Sequence, residues 1–148
     1  MIHSFSIHRA LLMLLALPIL AGTFVTDARA DALFARGKGM LAYSGAGQIE
    51  ISCSGFLIIY QNGDEAQIDV DSSAAEVVLE NGGRLFADFA GSLSFFSDDV
   101  TIICGGANIM LRARGDGNAV MAGAGYYMRG LELRFWSSEG VAVSLAEE

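Results

Sequence analysis

Apolar and polar residues alternate with a period of two along several stretches of this 148-residue chain. Ile49, Ile51 and Cys53 alternate with polar residues, and Ile68 and Val70 do the same further along. Because successive side chains of a β-strand point to opposite faces, this alternation predicts strands that are buried on one face. The single helix candidate, residues 73–80, contains Val77-Val78-Leu79, which favours a strand. The chain is therefore predicted to be all-β.

Two further runs are apolar throughout, Phe56 to Tyr60 and Val100 to Cys104. Such runs suit strands that are covered on both faces. Turn signals rich in Asn, Gly and Asp separate the runs, at residues 62–64, 81–83, 115–118 and 139–140. This spacing predicts about ten or more short strands, arranged as a small sandwich or a Greek-key-like barrel.

Glycines recur in pairs two residues apart, at positions 37/39, 45/47, 115/117 and 123/125. Two explanations remain open. The glycines could form bulges and tight bends at the corners of the fold. Alternatively, they could leave bare faces on which an aromatic ring or another backbone lies. A phosphate-binding loop would require a helix after the glycines, and none is predicted.

The chain also shows signs of an internal duplication. Residues 49–55 line up with residues 100–106, and this alignment superposes Cys53 on Cys104 at an offset of 51 residues. In an exported chain, two cysteines predict one disulfide between Cys53 and Cys104. Closing a loop of that size would stabilise the fold by about 4 kcal/mol.

The N-terminal segment has the order of parts of a secretory signal peptide. A weakly basic start with His3, His8 and Arg9 precedes the apolar stretch 11–20, and Ala28-Arg29-Ala30 supplies a small-x-small cleavage site. The apolar stretch is too short for a comfortable bilayer span. We therefore expect residues 1–30 to be removed, and residues 31–148 to form one domain in the periplasm or outside the cell. No membrane span would remain after cleavage.

Removal of residues 1–30 changes the chemistry that the chain offers. Both histidines are lost, and the remainder has seven basic and sixteen acidic residues, a net charge of −9. That charge repels phosphate backbones, which argues against nucleic acid as a partner. Without an imidazole, Ser-His-Asp and Cys-His nucleophilic pairs and histidine metal sites are excluded. The mature chain is predicted to be non-enzymatic and to use no cofactor.

One resemblance follows from the glycine pattern. The succession of G-x-G strands, the Gly-Asp turn, the run Gly123-Ala124-Gly125-Tyr126 and the late Trp136 resemble small secreted bacterial β-proteins of unassigned function. That resemblance covers nearly all of residues 31–148 and implies no activity. The same spacing of glycines resembles that of right-handed β-solenoid domains of cell-surface proteins, so a β-solenoid is the alternative fold.

Acidic residues supply weak candidates for a site. Oxygen-rich turns bind calcium, and four residues in two turns are candidate ligands: Asn62, Asp64, Asp116 and Asn118. Asp69 and Asp71 share one face of a predicted strand. Paired carboxylates can hydrolyse glycosides when a cleft sets their spacing, but acidic strand faces more often oppose edge-to-edge pairing.

Basic and aromatic residues group in the last third of the chain. Guanidinium groups beside aromatic rings can bind a carboxylate or the face of a sugar. The candidate ligand-binding residues are Arg112, Arg114, Tyr126, Tyr127 and Trp136. The alternative interpretation is an outward polar stripe of arginines that pair with acidic residues on neighbouring strands, with Trp136 in the core.

Three classes of function follow. The first is a non-catalytic exported domain that has a structural role or binds a protein or envelope component. The second is a small-ligand or carbohydrate-binding β-barrel, which requires a deep pocket. The third is a carboxylate-based hydrolase. Because the mature chain lacks histidine and a recognised nucleophile motif, the first class is favoured.

Overall fold

The computed structural model describes residues 32–145, and residues 1–31 and 146–148 lie outside the described part. The predicted signal peptide is therefore among the residues that are not described. Five strands form one antiparallel sheet: β1 (Ala32–Gln61), β2 (Glu76–Val78), β3 (Arg84–Arg129), β4 (Glu132–Phe135) and β5 (Val141–Ser144). Within residues 32–145 there is no helix that could cross a membrane. The all-β prediction is confirmed.

The two long strands wind around a common core as a two-stranded ribbon. Residues of β1 have β3 neighbours on both sides; Met40, for example, lies opposite Gly105 on one side and Ala122 on the other. The resulting sheet is open, so it is a folded sandwich and not a closed barrel. Its named strands pair antiparallel, which excludes the β-solenoid alternative because solenoid rungs stack in parallel.

Glycines bend the long strands without ending them. Gly39 and Gly47 of β1 have φ values of +126° and +121°, which a residue with a side chain rarely adopts. Gly39 pairs with Gly123 on one side and Gly106 on the other, so the bends of neighbouring strands line up. The predicted turn at 115–118 is therefore wrong, because these residues continue β3.

The bends divide the sheet into two layers. Layer 1 contains β4 and the segments 32–38, 48–54, 89–97, 109–114 and 124–129. Layer 2 contains β2, β5 and the segments 40–46, 56–61, 84–86, 100–105 and 117–122. The ten or more short strands predicted from the sequence correspond to these segments, which the structure joins into fewer and longer strands.

Other glycines leave room for aromatic rings, so both explanations of the glycine pairs are confirmed. A Cβ placed on Gly105 would lie 2.3 Å from the Phe56 ring, and one on Gly37 would lie 3.1 Å from the Trp136 ring. The Tyr43 hydroxyl lies over Gly117 and donates a hydrogen bond to the Asp116 carbonyl at 3.3 Å. Burial, followed by the Asp116 carboxylate, raises the pKa of Tyr43.

The core lies between the layers and is built from alternate residues of both. Ile49, Ile51 and Cys53 point inward, as the period-two pattern predicts. They meet residues such as Leu57 and Ile102 from layer 2. Residues 67–71, predicted as a strand from the alternation at Ile68 and Val70, form part of a loop instead. Ile68 is nevertheless buried in the core.

The predicted Cys53–Cys104 disulfide is absent, and both cysteines are buried free thiols. Cys53 lies opposite Gly91 in layer 1, whereas Cys104 lies opposite Leu41 and Leu57 in layer 2, so the two residues approach each other across the core and not as cross-strand partners. Their sulfur atoms are farther apart than the S–S bond of about 2.05 Å, and the two thiols share a hydrogen bond instead. A hydrogen bond with the Cys53 thiol, followed by burial, raises the pKa of Cys104 well above its usual range.

Polar contacts attach the loop between β1 and β2 to the sheet. The Glu65 carboxylate accepts a hydrogen bond from the Ser97 hydroxyl and another from the Asp98 backbone N–H. Arg84 forms an ion pair with Glu76 at 2.6 Å and donates to the Ile68 carbonyl at 2.7 Å. These contacts hold the loop against the sheet edge.

Candidate binding surfaces

The outer face of layer 1 carries three of the five predicted ligand-binding residues. Arg112 lies opposite Phe34 on one neighbouring strand and opposite Glu50 on the other. Arg114 is two residues further along the same strand and is also exposed, whereas Tyr126 is half-buried. Residues directly opposite each other in a sheet share a face. Arg112, Arg114 and Tyr126 therefore belong to one outer surface, as predicted for the arginines.

Aromatic and charged groups meet around Phe34 on this face. The Phe34 and Tyr126 rings have centroids 6.1 Å apart and an interplanar angle of 50°. The Arg112 guanidinium carbon lies 5.5 Å from the centroid of the Phe34 ring. Arg112 also forms an exposed ion pair with Glu50 at 3.5 Å. The cross-strand pairing of an arginine with an acidic residue is thus confirmed, and exposed pairs of this kind contribute about 0–1 kcal/mol.

Apolar side chains extend the surface to the β3–β4 hairpin. Met128 lies opposite Phe34 and Leu133, and Tyr126 lies opposite Phe135. Leu133 and Phe135 are 55% and 74% exposed. We define the aromatic patch as Phe34, Tyr126, Met128, Leu133 and Phe135. The sequence prediction missed Phe34 and the β4 residues because they become neighbours of Tyr126 only through the strand pairing.

Tyr127 and Trp136 do not belong to this surface. Both are buried, with 5% and 7% of their surface exposed. The Trp136 indole N–H donates to the Tyr126 carbonyl at 3.1 Å, and its ring packs against Gly37. The alternative interpretation of Trp136 as a core residue is therefore correct.

Two depressions on the described part of the surface are small and open to solvent. One of about 200 Å³ is lined by Gln48, Glu50, Ser94, Arg112 and Arg114, beside the aromatic patch. Another, of about 160 Å³, includes Arg129, Glu132 and Arg134 in its lining. Binding pockets for drug-sized ligands usually enclose about 300–1,000 Å³. The two depressions can accommodate a side chain or one sugar ring.

The four candidate calcium ligands lie on two different elements. Asp116 and Asn118 lie on continuous β3, and Asn62 and Asp64 lie at the start of the loop after β1. Among residues 32–145, no group of three or more His, Cys, Asp or Glu side chains could hold a metal ion. The best-organised carboxylate is Glu65, whose hydrogen bonds with Ser97 and Asp98 lower its pKa. Those contacts attach the loop to the sheet, which is a structural role.

A second surface on the outer face of layer 2 is apolar. Cross-strand pairing aligns one outward residue from each of seven neighbouring segments, and all seven are apolar. We call this the apolar row: Ala142, Val120, Ala42, Ile103, Ile58, Leu85 and Val77. The sequence signal was the pair of runs that are apolar throughout, which predicted strands covered on both faces. Within residues 32–145, no element covers this outer face.

Comparison with protein-family models, with curated proteins and with solved structures found no match to this chain.

Proposed function

We propose that the protein is a non-catalytic exported β-sandwich that binds a protein or an envelope component through the aromatic patch. The observation that carries the proposal is the exposure of large apolar side chains at one end of layer 1. Phe135 and Leu133 are mostly exposed, and Phe34 beside them carries the Arg112 guanidinium on its ring. Aromatic residues and arginine are enriched where proteins bind one another.

The chemistry of the described residues supports a binding role over catalysis. Both histidines precede residue 31, so no imidazole base remains after the predicted cleavage. Glu65, the described carboxylate with the most hydrogen bonds, accepts them from a serine and a backbone amide that attach its loop to the sheet. The export part of the proposal depends on residues 1–30. N-terminal sequencing of the cell-derived protein should begin at Asp31, or at Leu33 if Ala30-Asp31-Ala32 is the cleavage site.

The shape of layer 1 favours a macromolecular partner over a buried small molecule. The aromatic patch lies on the face of a sheet, and the adjacent depression of about 200 Å³ is open. A carbohydrate remains the second candidate, because Arg112 and Arg114 beside an aromatic ring could bind a sugar face by forked hydrogen bonds and stacking. Titration with soluble envelope glycans separates the two: saturable binding that is lost in Arg112→Ser/Arg114→Ser supports the carbohydrate.

Site-specific photocrosslinking in the producing cell tests the proposal. A photoreactive phenylalanine analogue at position 135 should give a discrete crosslinked species, and the same analogue at exposed Ser92, at the other edge of layer 1, should not. With the probe still at position 135, a Leu133→Ser substitution should weaken the crosslink while the melting temperature stays nearly constant. Equal crosslinking from positions 135 and 92, or none from 135, would contradict the proposal.

A further inference from the structure

We propose that the outer face of layer 2 is a self-association surface, on which a second copy of this chain packs face to face. The surface differs from the aromatic patch and lies on the opposite layer. Its centre is the apolar row, whose members include Val120 at 47% exposure and Val77 at 49% exposure. The outer face of a sandwich normally presents polar residues between the buried ones. We infer that an uninterrupted apolar row across seven neighbouring segments is covered by a partner.

The rows on either side of the apolar row are also uncharged. On one side lie Ala122, Met40 and Phe56, the last of which covers Gly105. On the other side lie residues that include Ser44 and Thr101, whose hydroxyls bond to each other at 2.9 Å. A face without charge, in a chain with a formal net charge of −8, indicates an apolar and uncharged occupant.

A second copy meets that requirement with its own identical face. Most soluble oligomers are symmetric, and in a twofold dimer the same patch contacts itself. Seven segments spaced about 4.8 Å apart span about 29 Å, and three rows of side chains add about 20 Å along the strands. The face then covers about 600 Å², and two copies bury about 1,200 Å², the lower limit of stable specific interfaces.

Layer 2 is expected to associate through its outer face, because its edges offer little backbone for pairing with another chain. The edge strands β2 and β5 have only three and four residues, and short edges limit pairing with another chain. The negative net charge also opposes attraction to anionic lipid. The row consists of alanine, valine, isoleucine and leucine side chains, which suit the spacing of about 10 Å between packed sheets.

Sedimentation velocity of the protein purified from the exporting cell tests the proposal. The wild type should sediment as a dimer at about 50 μM and dissociate on dilution, consistent with the modest area. Val120→Lys places a charge in the apolar row and should weaken dimerisation at least tenfold. The matched control is Phe96→Lys, which adds the same charge at an exposed apolar residue of layer 1 and should dimerise like the wild type.

Met40→Lys provides a second variant in case Val120→Lys does not fold, since Met40 is 51% exposed beside the apolar row. Far-UV circular dichroism confirms that each variant is folded. A wild type that stays monomeric at 200 μM would overturn the proposal, as would folded Val120→Lys and Met40→Lys variants that dimerise as tightly as the wild type. Flotation of the wild type with phosphatidylcholine vesicles, lost in Val120→Lys, would assign the face to a lipid surface and would also overturn it.

Discussion

Single residues in this protein are constrained by how closely neighbouring backbones approach. Gly39 is the clearest case, because a Cβ there would lie 2.2 Å from the Ala122 carbonyl oxygen and the backbone has φ of +126°. Gly63 has φ of +94°, but a Cβ there would meet nothing within 4 Å. The two glycines therefore separate the cost of the backbone conformation from the cost of the clash.

Gly39→Ala should destabilise the fold by about 3 kcal/mol or more, because conformational strain and overpacking add. Gly63→Ala should cost about 1–2 kcal/mol from the conformation alone. Urea unfolding of both variants measures the difference. Equal free energies of unfolding for the two variants would show that the β1 bend at Gly39 tolerates a side chain.

The two cysteines are free thiols and do not form the predicted disulfide, but both lie at core positions of their strands, as the apolar patterns predicted. Both are buried, with 2% and 0% of their surface exposed. Burial protects a thiol from oxidants and alkylating reagents, since the reactive thiolate forms only where water or cations stabilise it. Free thiols can thus persist even in an oxidising compartment.

We expect neither cysteine to react with iodoacetamide in the native protein at pH 8, and both to react in guanidinium chloride without a reductant. Intact mass spectrometry would then show two added carbamidomethyl groups after denaturation. A denatured protein that gains no groups until it is reduced would instead show that Cys53 and Cys104 are oxidised.

At the level of elements, the loop 62–75 is held by polar contacts as well as by the burial of Ile68. The Ser97 hydroxyl and the Asp98 N–H stabilise the charged form of Glu65, and these hydrogen bonds lower its pKa. Arg84 similarly lowers the pKa of Glu76 by a hydrogen bond. A carboxyl group whose pKa is lower in the folded state stabilises the fold above its unfolded pKa, about 4.3 for Glu. That contribution disappears as the pH falls through the folded pKa.

Glu65→Gln should lower the melting temperature at pH 7, and the difference from the wild type should shrink as the pH falls below about 4. The reason is that protonation removes the same charge in the wild type. Melting curves between pH 7 and pH 3 measure this, with exposed Glu139→Gln in the β4–β5 turn as the control. A Glu65→Gln deficit that stays constant with pH would attribute the loss to packing.

The elements also show what the sequence could predict. The alternation of apolar and polar residues predicted that Ile49 and Cys53 face the core and that Arg112 faces solvent. This succeeds because the two-residue repeat of side-chain direction in a strand does not depend on which strand it pairs with. The turn predicted at residues 115–118 failed because Gly115 can bend a strand while its pairing continues. The aromatic patch could not be derived, since the register that joins Phe34 to Met128 and Tyr126 to Phe135 is a long-range property.

For the molecule as a whole, β1 and β3 connect the two layers covalently at every bend. β1 runs from layer 1 into layer 2, back into layer 1 and again into layer 2, so that Leu41, Ile49 and Leu57 enter one shared core from alternating layers. Neither layer has a core of its own, because the inward residues of each are covered by those of the other. The layers should therefore unfold together, as expected for a small domain.

Trp136 makes this testable, because it is the single tryptophan of the chain and lies buried at the layer 1 side of the core. Ile102→Val removes one methylene from a fully buried residue of layer 2 and should cost about 0.5–1.5 kcal/mol. In urea, the Trp136 fluorescence transition should shift by the same amount as the far-UV circular dichroism transition, although Ile102 and Trp136 belong to different layers. An unshifted fluorescence transition beside a shifted dichroism transition would mean that layer 1 unfolds independently, and that the wound ribbon does not couple the two layers.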